Sequence, residues 1–131
     1  MTSKKRNGPG HNNFEKTLSW YVEAEGGSQY TKPVLLLTSS RTISAGETFS
    51  FAMRENSIVT QVGDTTAGAF SEVVIFQLYN GWLFTVSVGD YRGSDGKSYE
   101  GIGIAPHIYS KNQKADVLAG KDKTLELVIN I

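Results

Sequence analysis

The side chains of this chain with the clearest chemical potential stand together at one point. Ser44, Ala45, Gly46 and Glu47 follow the polar connection 38–43 and open an amphipathic segment. A serine at a strand-to-helix junction has its oxygen beside the free N–H groups of the helix start. The N–H of the next residue, Ala45, then points where the oxyanion of a tetrahedral intermediate would form. Small side chains at Ala45 and Gly46 leave room for a peptide to approach. A hydroxyl so placed can serve as a nucleophile once a base activates it. The same spacing has a second reading. Ser44 with Glu47 three residues on is a capping box, in which serine and glutamate close free N–H groups of a helix start. The residues by themselves leave both readings open.

Other patterns carry less. Gly93-Ser94-Asp95-Gly96-Lys97-Ser98 ends like a phosphate-binding loop, but Tyr91 stands where that pattern needs a glycine, so the segment reads as a turn. Gly101-Ile102-Gly103 lacks a third glycine. The absence of cysteine excludes a disulfide scaffold, thiolate catalysis and cysteine-ligated zinc. His11 and His107 are far apart in sequence, so neither a metal nor another cofactor is expected. Thirteen basic and thirteen acidic residues cancel, which disfavours a nucleic-acid partner held through phosphates.

The elements that must position Ser44 form an α/β pattern. A chain of 131 residues is read as a single domain, 1–131. Residues 1–13 are polar and glycine-rich, and are expected to be flexible unless something packs on them. The period of 14–24 fits either helix or strand. Val34-Leu35-Leu36-Leu37 is an unbroken apolar run of strand length, predicted to be buried on both faces of a parallel sheet. Ala45 to Glu55 predicts a helix with an apolar stripe of Ala45, Phe49, Ala52 and Met53. Ile58 to Val62 predicts a second strand, completing a βαβ unit. Beyond it, Ser71–Tyr79 and Trp82–Val88 flank Asn80-Gly81, a hairpin signal with positive φ expected at both turn positions. Alternation of Trp82, Phe84, Val86 and Val88 predicts a half-buried strand. Ile102 to Ile108 reads as extended. Asp116 to Asn130 reads as a helix, with a strand at 125–129 as the alternative.

Several segments in order resemble one family. Lys32-Pro33-Val34-Leu35-Leu36-Leu37-Thr38, Ser44-Ala45-Gly46-Glu47-Thr48-Phe49 and Val62-Gly63-Asp64-Thr65-Thr66-Ala67-Gly68 are similar to the core of the S41 serine peptidases, the carboxy-terminal processing or tail-specific proteases. Leu78-Tyr79-Asn80-Gly81, Glu100-Gly101-Ile102-Gly103-Ile104-Ala105-Pro106 and the terminal 120–126 continue the likeness. The resemblance implies a ClpP/crotonase-like α/β fold with a βαβ unit and a β-hairpin. It also implies serine endopeptidase activity on a peptide or protein substrate. Ser44 aligns with the nucleophile, Ala45 with an oxyanion donor through its N–H, and Glu100 with a glutamate that supports catalysis in the tricorn-like branch. The bland reading of Glu100 is an exposed loop carboxylate.

Two departures bear on the base. The processing proteases place a general-base lysine after the Thr-x-Gly motif, and this chain has Ala69 there. The tricorn-like branch instead takes a histidine from an earlier part of the chain. Pro106 is followed by His107 where the family has aspartate, and that histidine reads as a surface residue. His11 lies in a loop that follows the family pattern. The family's catalytic domain is larger than this chain, so an incomplete, C-terminal portion of that domain is expected, with its base outside these residues. The parent protein is expected to be extracytoplasmic by resemblance, although this sequence shows no targeting signal. Truncation would also expose strand edges, through which self-association is expected. The rival is a non-catalytic ligand- or peptide-binding module of the same fold, like the retinoid-binding relatives.

Overall fold

The computed structural model describes residues 1–131. In chain order the elements are β1 (Thr2–Lys5), β2 (Leu18–Ser19), β3 (Val34–Thr38), α1 (Ala45–Arg54), β4 (Val59–Gly63), β5 (Val73–Gln77), β6 (Leu83–Ser87), β7 (Gly89–Arg92), β8 (Ile108–Tyr109), α2 (Lys114–Leu118) and α3 (Lys123–Ile129). β3, α1 and β4 form the expected βαβ unit, with β3 and β4 parallel in register from Val34↔Val59 to Thr38↔Gly63. β8 extends this sheet on the far side of β4, also parallel. β4 is therefore the central strand, and Val59, Gln61 and Val62 are buried. β3 is an edge strand with no partner on its outer side. It is not buried on both faces as its composition predicts: Val34 to Leu36 are half-buried and Leu37 is exposed.

The helix turns a different face inward from the one its apolar residues predict. Glu47, Ser50 and Phe51 are buried, while Phe49 is 56% exposed and Ala45 and Ala52 face solvent. Positions 47, 50 and 51 share one face at i, i+3 and i+4. Phe51 enters the core with Phe70 and Ile104. Its ring centroid lies 5.2 Å from that of Phe70 and 5.0 Å, edge-on, from that of Tyr99. Ser50 is tolerated inside because its Oγ donates to Gly46 O at 2.7 Å.

The N-terminal residues do have something packed on them. β1 is the middle strand of an antiparallel sheet, β2-β1-β7. The polar residues find partners: Trp20 Nε1 donates to buried Ser3 Oγ at 2.7 Å, and Lys4 and Arg6 stack on the Phe14 ring. The ambiguous 14–24 segment supplies that packing with only two strand residues of its own.

β5 and β6 pair antiparallel from Val73↔Ser87 to Gln77↔Leu83. The turn differs from expectation. Leu78 N–H donates to Trp82 O and Gly81 N–H to Leu78 O, and Gly81 alone of the pair has positive φ. This is a three-residue loop closed by a left-handed glycine rather than a two-residue primed turn. Both faces of the hairpin are exposed, so the alternation along β6 does not mark a half-buried strand here. Two strands alone have no third layer to bury a face against. The C-terminal region divides into α2 and α3, because Gly120, at φ 68, interrupts the one helix expected over 116–130.

Two glycine turns meet behind α1. Gly68 (φ 75) faces the Ile102 and Gly103 amides, and a Cβ there would lie 2.7 Å from both nitrogens. Gly103 (φ 80) lies against Thr66 O. Gly101-Ile102-Gly103 thus serves close packing. Replacing Gly103 by alanine adds left-handed strain and a backbone clash, each costing on the order of 1–3 kcal/mol. Gly96 (φ 75) opens onto free space, so Gly96→Ala should cost only about 1 kcal/mol. Denaturant titration of the two variants should show the larger loss for Gly103→Ala.

Candidate active site

Ser44 sits where β3 has ended and α1 begins, and its backbone is strained. It is the only non-glycine residue with positive φ, at φ 54 and ψ −116. That region belongs to glycine in ordinary turns and costs a side-chain-bearing residue about 1–3 kcal/mol. A capping serine normally has an extended backbone and donates nothing to strain. Ser44 and Glu47 do hold the capping-box arrangement, with Glu47 Oε2 accepting from Ser44 N–H at 3.2 Å. The serine half is weak, however. Glu47 N–H donates to Ser44 O at 2.9 Å, and Ser44 Oγ makes no cap hydrogen bond of its own. The hydroxyl is exposed on a sharp turn at a helix N-terminus, as in the nucleophile elbow of α/β-hydrolases. Ala45 N–H makes no hydrogen bond within the protein, which leaves it free to donate to an oxyanion.

What holds Ser44 in this conformation is a second turn, 63–71. Ser44 N–H also donates to Ala69 O at 3.1 Å. Glu47 is completely buried, and its carboxylate takes Gly68 N–H at 2.7 Å and Ala69 N–H at 2.8 Å. Further along, Glu100 Oε2 takes Phe70 N–H at 2.8 Å and Ser71 N–H at 3.0 Å. Four consecutive amides, 68 to 71, are thus shared between two carboxylates. The turn's other end is fixed at Asp64. Its N–H donates to Thr38 O, its Oδ1 accepts from Thr65 N–H, and its Oδ2 lies 2.7 Å from Lys111 Nζ. The Lys111 ammonium holds the Asp64 carboxyl below the usual carboxylate value, and the Thr65 amide adds to this against the opposing effect of burial.

The predicted site residues are brought together only in part. Ser44, Ala45 and Glu100 all converge on the 68–71 segment, but Glu100 touches its backbone and makes no hydrogen bond to Ser44. Glu100 is exposed yet doubly bonded, so it is more than a solvated loop carboxylate. His107 lies elsewhere. Its Nδ1 accepts from Gln61 N–H at 2.9 Å and its Nε2 is 3.5 Å from Arg54, the last residue of α1. Ten residues of helix, about 15 Å, separate that end from Ser44. His11 sits in the 7–13 loop, where its carbonyl accepts from Arg6. Ala69, at the position of the processing-protease lysine, offers only its backbone. Ser44 Oγ consequently has no basic partner among residues 1–131. No group of three or more acidic, histidine or cysteine side chains forms a metal site. In the sequence Glu47 is marked only as a cap; its one further signal is a carboxylate on a helix face that packs against a glycine-rich turn.

With this geometry in hand, comparisons with known proteins point one way. The sequence pattern of peptidase family S41 matches residues 2–110. The carboxy-terminal processing protease CtpA of Bacillus subtilis is 29% identical over 87 residues, covering 66% of this chain and 19% of CtpA. Among solved structures, a candidate peptidase from Parabacteroides merdae superposes with a TM-score of 0.84 at 27% identity, over 98% of this chain and 41% of that one. Mature CPAF in complex with lactacystin superposes with a TM-score of 0.67 at 26% identity, over 76% of this chain and 20% of CPAF. The chain thus spans about a fifth of the length of CtpA.

The Asp64–Lys111 pair ties the turn to the segment that follows β8 and should leave a pH signature. Because the folded carboxyl titrates below its unfolded value of about 3.9, its contribution is full above that value. It is lost as pH falls through the folded pKa. Asp64→Asn should therefore lower the thermal midpoint at neutral pH, with the gap to wild type closing below pH ~4. Melting curves across that range test it, and a gap that persists in acid would remove the pair from the account.

Proposed function

Because the chain belongs to peptidase family S41, we propose that it carries the nucleophile side of a serine endopeptidase site. Ser44 Oγ attacks the scissile carbonyl carbon, its proton passes to a base, and the oxyanion is held by Ala45 N–H. The amide C–N bond then breaks, the leaving amine takes the proton, and water hydrolyses the Ser44 ester. The observation that carries this reading is the strained Ser44 backbone, φ 54 and ψ −116, beside a free Ala45 amide. Strain of this kind persists only where surrounding structure over-determines it, and it concentrates at functional sites. Glu100 supports the site by holding Phe70 and Ser71.

The base lies outside these residues in this reading. The chain is the C-terminal portion of a larger ClpP/crotonase-like catalytic domain of the tricorn-like branch, without the Ser–Lys dyad, and the missing N-terminal part brings the base to Ser44. Small core and large exposed surface support this: 17 of 131 residues are buried, while Trp82, Tyr79, Leu83 and Ile75 are all more than half exposed. The parent protein acts outside the cytoplasm on peptide or protein substrates, in keeping with the likeness to a carboxy-terminal processing protease. No helix here is long and apolar enough to cross a membrane. The alternative, a ligand- or peptide-binding module of the same fold without catalysis, draws on one observation, the alanine at position 69.

Labelling of the full-length natural protein with a fluorophosphonate, read by intact mass, separates the two. One adduct is expected on the wild type and none on Ser44→Ala. The alanine variant should keep its stability within about 0.5 kcal/mol, since no cap bond is lost. An unlabelled full-length protein would leave the binding-module reading standing.

Self-association through strand edges also belongs to this proposal. Residues 73–88 carry no charge and no proline, so nothing on the β5–β6 edges opposes pairing with another chain. Sedimentation of this 131-residue chain should show concentration-dependent association, abolished by Ile75→Lys. A wild-type chain that stays monomeric at tens of micromolar would rule the edges out.

A further inference from the structure

We infer that Glu47 is a positioning residue: its buried carboxylate, by gathering the amides of Ser44, Gly68 and Ala69, imposes the backbone conformation that aims the Ser44 hydroxyl. The inference rests on Ser44 being the nucleophile, and it assigns the cause of the strain that supports that reading.

A capping box asks little of its glutamate. The side chain sits at the surface and closes one N–H. Glu47 does far more. It is fully buried, so its charge has given up water entirely. That cost is met only by strong, charge-assisted hydrogen bonds. Oε1 takes Gly68 N–H at 2.7 Å, and Oε2 takes Ala69 N–H at 2.8 Å and Ser44 N–H at 3.2 Å. The third donor closes a ring, because Ser44 N–H is shared with Ala69 O at 3.1 Å. For Ser44 N–H to face both Glu47 Oε2 and Ala69 O, its peptide plane must swing toward the 68–69 turn. At α2 an extended N-cap, Gln113 at φ −84 and ψ 159, meets its N3 carboxylate, Asp116, alone; Ser44 N–H must also meet Ala69 O on the turn that Glu47 holds, and φ 54 accompanies that second demand. The turn cannot yield instead. Gly68 is packed on the 101–103 amides, Gly101 N–H donates to Gly68 O at 2.7 Å, and Glu100 holds the next two residues. The mobile partner in this arrangement is Ser44.

The chemistry of the side chain makes the test specific. Only a carboxylate offers acceptors on both arms. In Glu47→Gln one arm becomes a donor facing N–H groups, so either the Gly68 side or the Ser44–Ala69 side is lost at nearly unchanged volume. Glu47→Asp keeps the charge but is one methylene shorter. The experiment is the rate of fluorophosphonate inactivation of the full-length protein, resolved into kinact and KI, beside thermal unfolding of each variant. Glu47→Gln should reduce kinact at least tenfold with KI within twofold, and Glu47→Asp should recover part of that loss. An equal kinact for folded wild type and folded Glu47→Gln would overturn the inference while leaving Ser44 as nucleophile. An unlabelled wild type would overturn the serine-peptidase reading instead. If Glu47→Gln does not fold, the crystal structure of Glu47→Asp decides. Ser44 should relax toward negative φ, and a Ser44 still near φ 54 would refute the assignment.

Discussion

A carboxylate without water must be surrounded by donors, and Glu47 organises this molecule by that requirement. Its partners come from two separate stretches, residue 44 and residues 68–69. The helix start and the turn after β4 therefore cannot be placed independently. The rotation of α1 follows as well. With residue 47 directed inward, residues 50 and 51 must follow it, and Phe49 is carried to the outside. The core then forms around Phe51, with Phe70 and Ile104 arriving from the segments that bracket Glu100. A polar contact thus selects which apolar residues become the core.

Around that contact the backbone is held more by side-chain carboxylates and close glycine turns than by regular sheet. Residues 68–71 have no strand or helix partner, yet every amide among them is engaged. Thr66 adds a further tie, its Oγ1 accepting from Ile104 N–H at 2.7 Å. Loops positioned in this way can be as well ordered as the elements beside them, which is what a catalytic geometry needs. Gln61 sits at the other extreme. Its amide nitrogen donates to Thr38 Oγ1, but its buried Oε1 finds no partner, a local cost borne at the centre of the parallel sheet.

Local signals in the sequence led to the parts of the fold set by local physics. β3, α1 and β4 were legible from run length and period, and the hairpin from Asn80-Gly81, although Asn80 does not take the left-handed conformation. The junction serine was legible too, as a residue that could either cap or attack. Orientation was not. Hydrophobic periodicity weighs Phe49 and Ala52 and gives Glu47 no pull toward the interior, so it placed the wrong face of α1 inside. The pairing of the N-terminal strand was hidden for a similar reason: its polar residues are satisfied by Trp20 and Phe14 and by a strand from the distant 89–92 region. The strain at Ser44 leaves no trace in composition, since it arises from where Ala69 and Glu47 lie in space.

The pairing of β1 with β7 sets an order of events. Thr2 lies opposite Arg92, and Lys5 opposite Gly89, so the first strand closes against one made some ninety residues later. Contacts of such long range are late and slow to form, because a large loop must be closed before they repay it. During synthesis β1 can meet β2 early, but its other edge stays open until β7 has left the ribosome. β3, α1 and β4, by contrast, complete their pairing within thirty residues of one another. The scaffold around Ser44 can thus be assembled before β1 closes against β7, and the sheet those two strands share is among the last parts to be completed.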